Sequence, residues 1–262
     1  MLRRLLILFV IGYLLAFNSL SASARTLVGG WELWYPYQYR DKQQHLVGLD
    51  IEIFNAIIKQ AGVQVSFTEL PWERHLMFIK EGKMDVAMGA SYNNVRKSYA
   101  YFTEPYRQET IKLFIRRKYQ GHVHIQNLTD LINSNYLIGV EGGYYYGEQY
   151  QRLIQRLDFR THINEVLDIE QNVLMLMKDR IDGVLVDPVT MQSFIKKYRL
   201  QNELIALPLT VYQTNIHIML SKKTTDLTLL DKFNRAILRL KANGTIKKIE
   251  QRWTANNNLS AL

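Results

Sequence analysis

Three stretches of the sequence place a charged residue or a glycine pair directly after an apolar run. Arg96 follows MDVAMGA at 84–90, Asp187 ends IDGVLVD, and Gly142-Gly143 follow YLIGV at 136–140. A guanidinium binds a carboxylate through two parallel hydrogen bonds, a carboxylate accepts hydrogen bonds from an ammonium, and open glycine amides accommodate an anion. Gathered at one site, these groups would bind a small zwitterion such as an α-amino acid.

Each of these stretches also has an ordinary structural interpretation. Arg96 lies in the first turn of a predicted helix that Asn93 or Asn94 can cap, and it could be a surface residue there. Asp187 could itself cap the helix that Pro188 begins, and the glycine pair could form a plain tight turn. The local patterns leave both interpretations open.

Aromatic residues surround two of the predicted strand and helix ends. Residues 31–39 read WELWYPYQY, and Trp72 follows Pro71 at the start of a predicted helix. Their faces could enclose a ligand side chain or its cationic end. The alternative is that the rings belong to the core, which we expect for several of the 16 tyrosines.

Strand-like and helix-like patterns alternate along the chain from Leu27 onward. Strand, helix, strand, helix, strand is an order that predicts a mostly parallel sheet with helices on both faces. The order occurs twice, and only short strands near 110–116 and 213–219 link the two units. Because ligands bind at the carboxyl ends of strands in such sheets, two facing units would form a cleft. The predicted helices cover 49–62, 72–82, 146–157, 168–179, 188–198, 226–244 and 245–253.

The composition and the first 24 residues indicate an exported protein. A basic start, MLRR, precedes an apolar run of 13 residues and the segment Ala22-Ser23-Ala24, within a chain of 262 residues that has no cysteine. This pattern is typical of a signal peptide cleaved after Ala24, because a membrane anchor needs about 20 apolar residues. Without Arg3 and Arg4 the net charge falls from +9 to +7. The remaining basic residues are dispersed, so we expect no nucleic-acid binding, and we expect a periplasmic location.

Taken in order, these motifs resemble the bacterial extracellular solute-binding proteins, family 3, which are periplasmic amino-acid-binding proteins of ABC importers. The segment EGKMDVAMGASYNNVRKSYAYFTEPY at 81–106 is similar to the most specific block of that family. Other blocks are matched by YPYQYRDKQQHLVGLDIEIFNAI, IDGVLVDPV and KANGTIKKIEQRW. The resemblance implies an α/β, type II periplasmic-binding fold with two lobes, each a mostly parallel sheet flanked by helices, joined by two crossing strands. We expect lobe 1 to comprise residues 25–109 and 214–262, and lobe 2 residues 110–213.

The resemblance also implies how the two charged groups of an amino acid would be held. Arg96 would bind the carboxylate together with the backbone amide and hydroxyl of Ser91. The amides of Gly143 and Tyr144 would close on the same carboxylate from the other lobe. The ammonium contacts implied are the Asp187 carboxylate and the Gly89 carbonyl.

The remaining implied contacts concern the ligand side chain. By this resemblance, Trp34 and Trp72 occupy the positions of two aromatic residues that stack on the ligand. Glu141 and Trp31 occupy positions at which members of the family contact the ligand side chain. Trp31 replaces a residue that is often aspartate, and Tyr144 stands where threonine is common. Selectivity therefore stays open, although Glu141 would suit a polar or basic side chain.

The expected partners are a small amino acid and an inner-membrane ABC permease, with the protein acting as a monomer without cofactor or metal. The main alternative is an enzyme of the same fold, dehydratase-like or hydrolase-like, acting on a small carboxylate. No G-x-S-x-G, Walker or HExxH pattern occurs in the sequence. His122 and His124 alone suggest a metal, without an evident third ligand. A sensor module is a third class, which usually continues into a membrane span and signalling domain.

Overall fold

The computed structural model describes residues 25–258, with side-chain environments described for residues 25–253. The predicted signal peptide and its cleavage site at Ala24 lie outside the described residues. Within the described part of the chain, no helix is both long and apolar enough to cross a membrane.

The N-terminal part of the chain builds parallel strands with helices between them. Two of its helices end at glycines in the left-handed conformation, Gly62 with φ 67° and Gly82 with φ 76°. Glycine has no side chain to oppose this conformation, so it ends a helix without steric cost. The elements are β1 (Leu27–Trp31), β2 (Tyr39–Arg40), β3 (Leu46–Val47), α1 (Leu49–Ala61), β4 (Val65–Glu69), α2 (Trp72–Glu81), β5 (Val86–Ser91), α3 (Asn94–Tyr99) and β6 (Ala100–Phe102).

The middle and C-terminal parts repeat the alternation. The predicted helix over 146–157 is two shorter helices, because the backbone at Arg156 is extended, with φ −89° and ψ 130°. The elements are β7 (Arg107–Arg116), 3₁₀ turns (Arg117–Tyr119 and Leu128–Asn133), β8 (Ile138–Glu141), α4 (Glu148–Leu153), α5 (Leu157–Arg160), β9 (Ile163–Val166), α6 (Ile169–Met177), β10 (Gly183–Val186), α7 (Pro188–Lys197), β11 (Leu204–Ser221), α8 (Leu227–Ala242) and α9 (Thr245–Asn258).

The principal strands form one sheet in the order β4-β1-β5-β11-β7-β10-β8-β9, and β6 pairs with β11. Strand β1 is parallel to β4 and β5, and β8 is parallel to β9 and β10. Between these two parallel groups lie β11 and β7, which are antiparallel to each other and to their neighbours. The observed architecture therefore matches the predicted two mostly parallel units and two linking strands.

The linking strands are longer than the sequence predicted. β7 has 10 residues and β11 has 18, and β11 pairs with β7 along much of its length before pairing with β5. The ladder between them is irregular from Ala206 to Tyr212, a stretch that contains Pro208. Proline has no backbone N–H to donate, so it interrupts a ladder.

Apolar packing divides into two parts on either side of the linking strands. One is built around Phe54, Ile57 and Phe233, all essentially inaccessible to solvent, where α1 and α8 cover the β1–β5 end of the sheet. The other is built around Leu113 and Val184 under the helices of the middle segment. Each unit thus buries a core of its own.

Candidate functional site

Arg96 lies where the two halves of the molecule meet. Asn93 caps helix α3 by accepting from the Arg96 amide at 2.8 Å, as one of the two predicted caps requires. The side chain is 5% exposed and donates to the Ser91 carbonyl at 2.9 Å and to the Gly143 carbonyl at 2.8 Å. Among the described residues no carboxylate lies within 4.0 Å of it. Burial lowers the pKa of Arg96, and an arginine still keeps its charge, so this is a buried cation without a counter-ion.

Ser91 and Gly143, two of the residues predicted to contact the ligand carboxylate, both accept hydrogen bonds from Arg96 through their carbonyl oxygens. The contacts of the ligand carboxylate with the amides of Ser91, Gly143 and Tyr144 stay a prediction. Gly143 has φ 72°, which favours glycine at this turn. A Cβ added there would lie 3.4 Å from Glu73 of helix α2, so the middle segment and the N-terminal half are in direct contact here.

Asp187 caps helix α7 and also faces the opposite half of the molecule. Its Oδ1 accepts from the amides of Val189 at 3.0 Å and Thr190 at 2.9 Å, so the ordinary cap interpretation is correct locally. The same oxygen accepts from the Tyr37 hydroxyl at 3.0 Å. The residue is 3% exposed, and burial raises the pKa of Asp187. A buried carboxylate in this position would gain from an ammonium partner.

Gly89 and Trp34 lie together beside the Asp187 end of the site. Gly89 has φ 75°, and a Cβ there would lie 3.1 Å from the Trp34 ring. Trp34 packs at 4.5 Å from Tyr37 and, edge-on, at 6.1 Å from Tyr144, measured between ring centroids. These aromatic contacts join the N-terminal half to the middle segment.

The other two predicted tryptophans each pack against an arginine. Trp72 packs beneath Arg96, whose guanidinium carbon lies 5.5 Å from the ring centroid. Trp31 is buried, and Arg40 covers its ring at 5.0 Å. Neither ring lines the two cavities described next.

Two cavities adjoin Arg96 and Asp187. The first, called here the tyrosine cavity, has a volume of about 910 Å³; Arg96, Tyr92, Tyr99, Tyr145, Tyr150 and Tyr212 are on its walls. The second, the inner cavity, has about 10 Å³ and is lined by Trp34, Ile111, Leu185 and Asp187, among others. Glu141, Tyr144 and Tyr146 line both. Arg96 and Asp187 therefore lie on adjoining cavities separated by these three side chains.

A buried ion network that the sequence did not predict underlies the inner cavity. Arg107 donates to both carboxylate oxygens of Asp50, at 2.7 and 3.0 Å, and to Glu109 at 3.2 Å. Tyr144 in turn donates to Glu109, and Arg107 lies 4.2 Å from the Tyr37 ring. Because Arg107 and Glu109 belong to the linking strand β7, this network ties that strand to both halves.

Three glutamates in and around this network have raised pKa values. Burial raises the pKa of Glu109 to about 7, against the lowering effect of Arg107. Burial, opposed by a hydrogen bond from the Trp72 amide and assisted by Asp168, raises the pKa of Glu32 to about 8. Burial and then the charge of Glu32 raise the pKa of Glu141 well above its ordinary value. The region therefore favours a cationic guest.

Sequence reasoning missed Tyr37, Asp50, Arg107 and Glu109. Asp50 and Arg107 are 57 residues apart, so no local spacing connects them. Two of these residues lay in quoted motifs without a role of their own: Tyr37 in the aromatic stretch at 31–39, and Asp50 in the segment GLD at the start of α1.

The histidine pair raised as a metal candidate shows no metal-site geometry. His122 and His124 are both exposed, and the described residues contain no group of three or more His, Cys, Asp or Glu side chains suited to a metal ion.

Two α/β units joined by two linking strands are the architecture of the type II periplasmic-binding fold. The chain belongs to the bacterial extracellular solute-binding proteins, family 3, whose family model matches residues 27–256. This finding confirms the family resemblance inferred from the sequence.

Similar proteins of known name are binding proteins of the same kind. The chain is 23% identical over 239 residues to the arginine-binding extracellular protein ArtP of Bacillus subtilis (strain 168), covering 90% of this chain and 88% of that protein. It is 26% identical over 252 residues to the ABC transporter arginine-binding protein 1 of Escherichia coli (strain K12), covering 93% and 97%.

Solved structures share the fold. An ancestral arginine-binding protein bound to arginine has a TM-score of 0.74 and 25% identity, over 87% of this chain and 97% of that one. A histidine kinase sensor domain similar to periplasmic binding proteins has a TM-score of 0.76 and 22% identity, over 88% and 96%.

Proposed function

We propose that this protein is a periplasmic solute-binding protein that captures a small zwitterion, most favourably a basic L-amino acid, and delivers it to an ABC importer. One observation carries the proposal. Arg96 is a buried cation and Asp187 is a buried anion from the other half of the chain. Arg96 donates a hydrogen bond across the boundary between the halves, and Asp187 accepts one across it. An amino acid supplies the complementary charges at one carbon atom.

The ligand carboxylate would bind Arg96 and Ser91, with the Gly143–Tyr144 turn closing over it. The ammonium would bind Asp187 beside Gly89, and Trp34 would pack against the ligand body. The lobes assigned from the sequence, 25–109 with 214–262 and 110–213, would rotate about β7 and β11. Ligand contacts made with both lobes would favour the closed arrangement.

The preference for a basic amino acid draws on the charges near the site. Glu141 lines the inner cavity, and the charges of Glu32 and Glu109 act on Glu141. Burial raises the pKa of all three glutamates. A cationic ligand relieves this crowding of carboxylates. Relatives named as arginine-binding proteins support the same choice.

Binding without turnover distinguishes this proposal from the enzyme alternative. The family and the named relatives are binding proteins. We therefore propose that the protein has no catalytic activity, acts as a monomer and has an inner-membrane permease as its partner. Chromatography of each candidate ligand after incubation with the protein checks this, and conversion of any of them would contradict it.

Calorimetry of the purified protein with L-arginine, L-lysine, L-histidine and L-glutamine tests the proposal. Arg96→Ala should cost about 2–5 kcal/mol of binding free energy, the range for removing one member of a buried charge pair. Arg74→Ala is the matched control, since Arg74 is exposed on α2 and should leave affinity unchanged. Equal affinities for wild type and Arg96→Ala would refute the assignment of the site.

A further inference from the structure

The space available around the proposed site fixes where a long ligand side chain can lie. The inner cavity, at about 10 Å³, holds at most one water molecule. The tyrosine cavity, at about 910 Å³, opens beyond Glu141, Tyr144 and Tyr146. Of these two cavities, the tyrosine cavity is the one with room for an extended side chain of a ligand held between Arg96 and Asp187.

The carboxylates of the tyrosine cavity differ in their partners. Glu148 pairs with Arg152 at 3.6 Å, so these two charges neutralise one another. Glu165, from strand β9, lines the same cavity. Among the described residues its side chain takes part in no hydrogen bond and has no cationic group within 4.0 Å. It is therefore a carboxylate available to a guest.

The aromatic wall beside Glu165 is continuous. Ring centroids are 5.1 Å apart for Tyr144 and Tyr146, and 5.0 Å apart for Tyr146 and Tyr150. Burial and then the charge of Glu165 raise the pKa of Tyr150, so this carboxylate acts on the wall. Aromatic faces next to a carboxylate suit a guanidinium or ammonium group, which gains from both.

We propose that Glu165 and the wall formed by Tyr144, Tyr146 and Tyr150 bind the cationic end of the ligand side chain. This inference rests on the proposed function and adds a specificity-determining residue to it. The ligand class is then an amino acid whose side chain is long enough to pass Tyr144 and ends in a positive charge. Glu141, at the junction of the cavities, would lie along the side chain instead of at its end.

Calorimetry with L-arginine and L-citrulline tests the inference, because citrulline has the same length with a neutral urea in place of the guanidinium. The wild type should prefer arginine. Glu165→Gln should lower arginine affinity about 3- to 5-fold, within the range for an exposed ion pair because Glu165 is an exposed residue, and leave citrulline affinity unchanged. Glu148→Gln is the matched control and should leave both affinities unchanged, since Glu148 already pairs with Arg152.

Other outcomes separate this inference from the proposed function. If Glu165→Gln changes neither the arginine affinity nor the citrulline affinity, or changes both equally, Glu165 does not contact the cationic end of the ligand. If Glu141→Gln alone abolishes the preference for arginine, the cation lies at the junction of the cavities and the inference is wrong. Wild-type binding of neutral amino acids only would overturn the inference and keep the proposed function, whereas no amino-acid binding at all would refute both.

Discussion

Removing the guanidinium of Arg107 should destabilise the protein more than any other single arginine replacement on strand β7. Its side chain is 2% exposed, and its partners Asp50 and Glu109 are 0% and 1% exposed. Methionine would fill much of the same volume without charge. Arg107→Met would therefore leave two carboxylates buried without their cation.

Breaking a buried ion pair by removing one partner costs about 3–5 kcal/mol. For a chain of this size each kcal/mol lowers the melting temperature by about 2–4 °C, so Arg107→Met should melt about 6–20 °C lower. Asp50→Asn in the Arg107→Met background should recover part of this loss, since one of the stranded charges is then gone.

Urea unfolding followed by tryptophan fluorescence measures the effect, with the slope of the transition compared between variants. Arg116→Met is the control from the same strand: Arg116 also contacts two carboxylates, Asp179 and Glu203, but these are 41% and 48% exposed. Exposed pairs contribute at most about 1 kcal/mol. Equal, small losses in the two variants would show that the buried network does not stabilise the fold, and the reasoning would be refuted.

Three further predictions concern single titratable side chains. The pKa of Glu109 is raised to about 7 from 4.5, so the folded state holds this proton more tightly than the unfolded state does. The free energy of unfolding should therefore fall by about 3 kcal/mol as the pH rises from 4.5 through 7. The free energy of unfolding of Glu109→Gln should lack this fall, and a pH profile identical to that of the wild type would contradict the assignment. Burial lowers the pKa of His75 to about 4 from 6.5, so the free energy of unfolding should fall by about 3 kcal/mol as the pH falls from 6.5 through 4. In the same measurement His75→Gln should remove this loss of stability in acid. If the loss persists in His75→Gln, another residue causes it. Asp187→Asn should weaken L-arginine more than 5-guanidinopentanoate, which lacks the α-ammonium, and equal calorimetric losses for the two ligands would remove Asp187 from the ammonium role.

The parts of the structure that the sequence predicted are those governed by local rules. Gly62 and Gly82 end helices because only a residue without a side chain adopts the left-handed conformation freely. Asn93 and Asp187 cap helices because a short polar side chain reaches the free amides of the first turn. These rules act over three or four residues, so a single sequence contains them.

The parts that were not predicted depend on contacts distant in sequence. Residues 204–212 contain Pro208 and little strand-like alternation, yet they pair with β7, about 90 residues earlier in the chain. Arg107 resembled the start of an ordinary strand, since its partner Asp50 lies 57 residues away. Tyr37 donates to Asp187 across 150 residues, and the aromatic stretch at 31–39 that contains it gave no sign of this partner. The strand-end pattern singled out Arg96 and Asp187, and the family resemblance implied their roles, but neither could supply these chain-specific contacts.

The irregular ladder between Ala206 and Tyr212 has a mechanical consequence for the two-stranded ribbon of β7 and β11. A regular ladder resists flexing because each bend strains several hydrogen bonds, whereas a stretch with few bonds, interrupted at Pro208, flexes at small cost. When the ribbon bends, the bend should therefore occur mainly between Ala206 and Tyr212, near one end of the ribbon. The regularly paired portion from Thr214 to Ile216 should move as a rigid segment.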